Sequence, residues 1–182
     1  ALKVALKASQ AGGRVALKYF RKLKQVDNKL DAGLVSEADR ESEQVISKVI
    51  HKAFPGHKIL GEETGYSDKG NSVEGLWVID PLDGTTNYVH GFPFFCVSIG
   101  LEVNGQVEVG VVHAPLLKYT FTAVRGGGAF LNGKPIRVSN TQRIEDSLLA
   151  TGFSYQKNKV LEYEMDDFRQ FAQLARGVRR AG

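Results

Sequence analysis

Two carboxylates three positions apart, Asp80 and Asp83, stand where an apolar run gives way to a turn: Trp77-Val78-Ile79-Asp80-Pro81-Leu82-Asp83-Gly84-Thr85-Thr86-Asn87. The run predicts a buried strand, which should finish at Asp80 because Pro81 has no N–H for a sheet ladder. Gly84, Thr85 and Thr86 then supply a turn whose N–H groups open a short helix, a geometry that suits an anion. Carboxylates draw a divalent cation and neighbouring N–H groups draw a phosphate, so the stretch predicts metal-assisted phosphate chemistry. Mg²⁺ takes hard oxygen ligands and keeps several waters. Glu62, Asp80 and Asp83 are therefore a sufficient carboxylate set, with the Leu82 carbonyl as a further oxygen. Taken alone, the same D-x-x-D also suits an Asx turn at Asp83-Gly84 with Asp80 as a cap. An EF-hand loop is excluded, since its acids alternate and a later Glu is required.

The elements that must position these residues can be read from periodicity. Residues 2–23 carry Leu2, Ala5, Leu6, Val15, Ala16, Tyr19, Phe20 and Leu23 at helical spacing, with Gly12-Gly13 as a weak point. Lys18, Arg21, Lys22 and Lys24 suit the dipole of its last turns. A polar stretch at 25–33 predicts a loop. Ser36-Glu37-Ala38-Asp39 resembles a capping box that starts a second helix, whose apolar face is Val45, Ile46, Val49, Ile50 and Phe54 and which Pro55-Gly56 ends. Residues 58–60 predict a short strand leading into Gly61-Glu62-Glu63-Thr64-Gly65, followed by a polar loop through Ser72.

From Phe92 onward the pattern becomes a meander of antiparallel strands. Residues 94–103 and 106–113 flank Asn104-Gly105; residues 119–124 and 129–131 flank Arg125-Gly126-Gly127-Gly128; residues 136–138 follow Asn132-Gly133. A strand at 147–151, a loop at 152–157 and a helix at 161–175 open a new βα pattern. The fold class is α+β: two N-terminal helices on a mostly antiparallel sheet, with residues 1–145 as one domain and 146–182 as the start of a second, α/β domain.

Composition narrows the function. The 182 residues hold 24 basic and 20 acidic side chains, a net charge of +4, with no basic stripe interleaved with aromatics, so nucleic-acid binding is not expected. No apolar run reaches the ~18 residues of a membrane span, and no signal-peptide pattern opens the chain. Cys96 is the only cysteine, which excludes an internal disulfide and a thiolate zinc cluster and fits a reducing compartment. Among Phe94, Phe95, Val97 and Ile99 it reads as a buried strand thiol rather than a nucleophile. His51, His57 and His113 lack ligand spacing, His90 fits helix-end packing, and Gly126–Gly128 lacks the Lys-Ser/Thr of a P-loop.

Haloacid-dehalogenase phosphatases place one residue fewer between their two acids, so that family is excluded. The central stretch, continued through Tyr88-Val89-His90, instead resembles the metal-binding signature of the inositol monophosphatase family. Gly61-Glu62-Glu63 resembles that family's G-E-E element, and Leu34-Val35-Ser36-Glu37-Ala38-Asp39 its L-V-T-x-x-D. Phe92-Pro93-Phe94, Val97-Ser98-Ile99-Gly100 and Gly126-Gly127-Gly128-Ala129-Phe130-Leu131-Asn132-Gly133 extend the likeness over almost the whole chain.

The resemblance implies a layered sandwich like that of fructose-1,6-bisphosphatase and Mg²⁺-dependent, lithium-sensitive hydrolysis of a small polyol phosphate, most closely inositol monophosphate, by a metal-activated water. It implies two or three Mg²⁺ ions: Glu62, Asp80 and the Leu82 carbonyl would hold the first, and Asp80 and Asp83 a second. Thr85 and Asp39 would deprotonate the water with Glu63 in support, Asp83, Gly84 and Thr85 would meet the substrate, and Lys29 would lie near the metals. A cytoplasmic homodimer, or an organellar one after removal of a targeting segment, is the implied setting, with no nucleic-acid or membrane partner. The family's downstream Trp-Asp element, whose Asp completes the second metal site, has no counterpart in these residues, so the chain is expected to lack the C-terminal part. A non-catalytic metal- or anion-binding module, or a phosphatase for another sugar or nucleotide phosphate, is the alternative.

Overall fold

The computed structural model describes residues 1–29, 33–66, 75–153 and 159–180. In chain order the elements begin with α1 (Leu2–Tyr19), β1 (Val26–Lys29), β2 (Gly33–Ser36) and α2 (Glu37–Ala53). Then come β3 (Lys58–Gly61), β4 (Gly65–Tyr66), β5 (Leu76–Asp83), α3 (Thr85–Val89), β6 (Cys96–Val103), β7 (Gln106–Ala114), β8 (Tyr119–Val124), β9 (Gly128–Leu131) and β10 (Lys134–Ile136). The chain closes with β11 (Leu148–Thr151), α4 (Lys159–Leu174) and β12 (Gly177–Arg180). Two compact units result: Ala1–Asp27 with Leu34–Ile136, and Asn28–Gly33 with Arg137–Gly182.

In the first unit an eight-stranded sheet runs β10-β9-β8-β7-β6-β5-β3-β4. Every neighbouring pair is antiparallel except β3 and β5, which lie parallel. Asn104 and Gly105 both take positive φ, 51° and 73°, in the two-residue β6–β7 turn, which matches the twist of the strands it joins. Gly126–Gly128 makes the tight turn between β8 and β9.

Helices α1 and α2 cover one face of the sheet. Ala5, Ala8, Ile46, Ile50, Ile59, Trp77, Ile79, Val97, Ile99, Leu101, Val109 and Val111 form its core. A second cluster of Ala16, Ala38, Leu82, Tyr88 and Phe95 seats α3, with the Tyr88 hydroxyl donating to the Ala16 carbonyl at 2.6 Å. In the second unit β11 and β12 pair in parallel, joined through α4, so the βα pattern foreseen from residue 147 is present.

Several boundaries differ from the sequence expectation. Helix α1 stops at Tyr19, not Leu23, because Phe20 turns extended and Arg21 adopts φ 60°. The supposed loop at 25–33 contains β1, which forms with β2 a separate two-stranded sheet; pairing overrides the polar local composition. The strand after Asn132-Gly133 is Lys134–Ile136 rather than 136–138, because it pairs with β9 directly across the turn. β6 begins at Cys96, not at 94. Parts of the expected loops at 66–72 and 152–157 lie outside the described residues.

The largest difference lies in the central strand. It does not end at Asp80 but runs to Asp83, with Asp80 opposite Ser98 and Asp83 opposite Cys96. Two residues against one between these pairs make a β-bulge, and Pro81 sits where the ladder asks for no N–H. Both Pro81 and Leu82 are buried there.

His113 on β7 tests the packing of α1. The ring lies so close to Gly13 that a Cβ on that glycine would stand 2.7 Å from His113 Cδ2. Its Nδ1 is 2.9 Å from Thr120 Oγ1. Burial, with a smaller contribution from Arg14, holds the imidazole below its ordinary pKa. The folded state therefore resists a proton that the unfolded chain accepts near pH 6.5, so stability is full above that pH and declines below it. Urea unfolding at pH 7 and pH 5 should show a drop that His113→Gln reduces; an equal drop in the variant would refute the assignment. Among the described residues no helix is long and apolar enough to cross a membrane.

Candidate metal and phosphate site

One turn-and-a-half of α2 organises the site. Ser36 caps the helix: its hydroxyl accepts from the Ala38 N–H at 3.2 Å, while Asp39 Oδ2 accepts from the Ser36 N–H at 2.8 Å and the Ser36 hydroxyl at 2.5 Å. That reciprocal cap fixes the Asp39 carboxyl and leaves Oδ1 facing Thr85, whose Oγ1 lies 3.0 Å away. The same Oγ1 is 3.0 Å from the Leu82 carbonyl. A hydroxyl has one proton, so Thr85 donates to Asp39 or to Leu82, and a further partner on the Leu82 oxygen would commit the proton to Asp39. Burial pushes Asp39 above the ordinary carboxylate range, against the downward pull of its Ser36 and Thr85 bonds.

Two further residues of the same helix face anchor the other segments. The Ser42 hydroxyl donates to the Pro81 carbonyl at 3.0 Å, pinning the bulge. Glu43, 1% exposed, receives the Glu63 N–H on Oε2 at 2.8 Å. Its Oε1 receives the Thr64 N–H at 3.1 Å and the Thr64 hydroxyl at 2.6 Å. Motif spacing singles out neither Ser42 nor Glu43. Their signal lies in the helix pattern: Asp39, Glu43, Ile46 and Ile50 share one stripe, and an acid inside an otherwise buried stripe asks for a polar partner.

Glu62 follows β3, its N–H bonded to the Ile79 carbonyl at 3.1 Å, which sets it beside Asp80 on neighbouring β5. Burial, then the charges of Glu62 and Asp83, push the Asp80 carboxyl up to about 8. Asp80 Oδ1 also accepts the Leu82 N–H at 3.1 Å. Leu60, Gly61, Glu62, Val78, Ile79, Asp80, Ser98 and Gly100 line a concavity of about 540 Å³. Among the described residues no three His, Cys, Asp and Glu side chains are gathered into a complete cation cage. The donors that could take a hard cation are the Glu62 and Asp80 carboxyls, whose mutual repulsion a divalent ion would relieve, with the Leu82 carbonyl two residues further along β5 as a further oxygen.

Asp83 is exposed at the far side of the bulge, and Cys96 Sγ donates to its Oδ2 at 3.5 Å. Burial and the Asp83 charge push the Cys96 thiol up to about 12, so it is a half-buried, protonated strand thiol, in keeping with the reading that it is no nucleophile. Gly84 enters α3 at φ 91°, and a Cβ there would stand 3.0 Å from the Phe94 carbonyl, so only glycine suits the turn. His90 Nδ1 meets the Thr86 carbonyl at 2.9 Å at the helix end. Glu63 is half-buried and held through its amide; Lys29 closes β1, and its side chain lies outside the described residues.

The structure thus brings Asp39, Thr85 and the Leu82 carbonyl together, and sets Glu62 and Asp80 side by side with the Asp83 charge near them. Known proteins resemble the chain in sequence and in fold. The family model described as "Inositol monophosphatase family" matches residues 1–182. The Nus factor SuhB of Pseudomonas aeruginosa is 42% identical over 186 residues, covering 100% of this chain and 69% of that protein. Inositol monophosphatase 2 of Solanum lycopersicum is 44% identical over 161 residues, covering 87% of this chain and 61% of the relative. The solved inositol monophosphatase of Anabaena superposes with a TM-score of 0.85 at 41% identity, over 100% of this chain and 66% of that one. The chain spans about three fifths to two thirds of the length of most relatives of this kind.

Proposed function

The chain belongs to the inositol monophosphatase family, and from that premise we propose that it hydrolyses a small polyol phosphate monoester, most closely an inositol monophosphate, to the polyol and phosphate. The observation that carries the reading is the relay Asp39–Thr85–Leu82 carbonyl, set at the head of α3. Glu62, Asp80 and the Leu82 carbonyl would hold one Mg²⁺, and Asp83 with Asp80 a second. Bound there, Mg²⁺ would neutralise phosphate charge and lower the pKa of water.

The chain's own residues do the rest. Thr85 accepts a proton from the attacking water on its hydroxyl oxygen as it passes its own to Asp39, and the leaving alkoxide takes a proton from solvent. The raised affinity of that carboxyl for protons brings it nearer the operating pH than an exposed aspartate would be. Glu63 supports this pair, and the amides of Gly84 and Thr85 receive phosphate oxygens as the negative charge shifts towards the leaving alkoxide. No covalent phosphoenzyme is needed. Residues 1–145 form the metal-binding domain in this reading, and 146–182 open an α/β domain. Lithium sensitivity, a homodimer and a cytoplasmic or organellar setting complete the proposal.

Phosphate release from inositol 1-phosphate, followed with Mg²⁺ and with chelator, tests it in this chain and in one extended to the length of its relatives. Mg²⁺-dependent release that Asp83→Asn lowers by about tenfold or more, with an unchanged melting temperature, is the expected result. Near-normal turnover by that variant, or release indifferent to chelator, would sink the assignment. Mg²⁺ binding without turnover in either chain would favour the non-catalytic module.

A further inference from the structure

Glu43 is a buried acid that the hydrolytic scheme does not use, and all of its hydrogen bonds go to the turn that carries Glu62. Both oxygens accept: Oε2 from the Glu63 N–H, Oε1 from the N–H and hydroxyl of Thr64. Among the described residues no Lys, Arg or His forms an ion pair with it. Gly61 lets the carboxyl approach the strand end, since a Cβ there would stand 2.5 Å from Cδ and from both oxygens of Glu43. Residues 61, 63 and 64 are therefore gathered round one carboxyl, and Glu62 lies between them with its own N–H tied to Ile79.

Three donors spread over both oxygens require a carboxylate, because the amide of an Asn or Gln accepts on one atom only. A carboxyl in this place adds negative charge behind the turn that carries Glu62 and Glu63, which a cation held by Glu62 would offset. Hydrogen-bonded residues behind a metal ligand orient it and tune its affinity for the ion.

We infer that Glu43 is the positioning residue of the cation site: it holds the Gly61–Thr64 turn so that Glu62 faces Asp80, and it thereby sets Mg²⁺ affinity. The inference rests on the metal-site reading proposed for Glu62 and Asp80 and adds a residue on a different element. It does not make Glu43 a ligand or a proton carrier.

Calorimetric titration of this chain with Mg²⁺ tests it directly, alongside the Mg²⁺ dependence of turnover in the extended chain. Glu43→Gln keeps the volume and part of the bonding. It should weaken Mg²⁺ binding by about tenfold and raise the half-saturating Mg²⁺ by the same factor, while kcat at saturating Mg²⁺ changes much less. Thr64→Val removes one of the three bonds at an exposed position and should weaken binding by about threefold, roughly one charged hydrogen bond shared among three. It keeps the test valid if Glu43→Gln fails to fold. Mg²⁺ affinity in a folded Glu43→Gln within twofold of the parent would overturn the inference and leave the metal-site reading standing. So would a fall in kcat with unchanged half-saturation, the mark of a purely structural role. If Glu43→Gln does not fold, parental affinity in Thr64→Val would overturn it in the same way. Failure of the parent chain to bind Mg²⁺ at all would overturn both.

Discussion

In the extended chain, Asp39→Asn and Thr85→Ala should each lower kcat by about 100-fold or more, and the double variant should lose little beyond the larger single loss. The reason is that the two side chains act as one relay. Thr85 Oγ1 has one proton and two acceptors at 3.0 Å, Asp39 Oδ1 and the Leu82 carbonyl. An amide at position 39 would donate to Thr85 rather than accept from it, so the hydroxyl proton would turn to Leu82 and the route into the carboxyl would close. The cap of α2 would survive, because the amide oxygen can still accept the Ser36 N–H that now meets Oδ2 at 2.8 Å. Rate should therefore fall far more than stability. Single-turnover phosphate release on the two singles and the double decides the matter. Losses that multiply would mean that Asp39 and Thr85 work independently, and the relay would have to be abandoned.

Gly12→Val should destabilise the protein by about 2–3 kcal/mol, mainly through overpacking at a helix crossing. A Cβ at Gly12 would stand 2.7 Å from both Ile46 Cδ1 and Ser42 Oγ, and both residues are fully buried on α2. Alanine should cost less, because removing a mid-helix glycine returns up to ~1 kcal/mol of helix propensity. The valine also presses on Ser42, whose hydroxyl holds the Pro81 carbonyl, so the strain reaches the bulge between Asp80 and Asp83. Denaturant unfolding measures the first effect and Mg²⁺-dependent phosphate release the second. A valine variant as stable as the parent would show that α1 and α2 can separate at no cost, contrary to the tight crossing at Gly12. The glycine pair that reads as a weak point in the α1 pattern is thus explained at Gly12 by the close approach of α2.

Much of the site is legible in the residues themselves because its information is local. The apolar run and its two acids, the glycine at the turn, the Ser36–Asp39 cap and the Asn104-Gly105 hairpin each specify a conformation within a few positions. For that reason their types and spacing are enough to place them. The antiparallel meander comes from turn chemistry in the same way, and the motifs together point to the family without any coordinate.

What the tertiary structure decided was how those local pieces meet. The bulge at Pro81-Leu82 arises from the register of β5 against β6. It carries the strand on to Asp83, past Asp80, where the proline alone would end it. The parallel pairing of β3 with β5 sets Glu62 beside Asp80. Ser42, Glu43 and Asp39 reach across 39, 20 and 46 positions to Pro81, Glu63 and Thr85. A polar group on a buried helix face announces that it needs a partner, but the partner's identity depends on which distant backbone groups the fold delivers to it. Local propensity settles elements one at a time; desolvation, which punishes every buried polar group left unpaired, acts only when the elements are brought together.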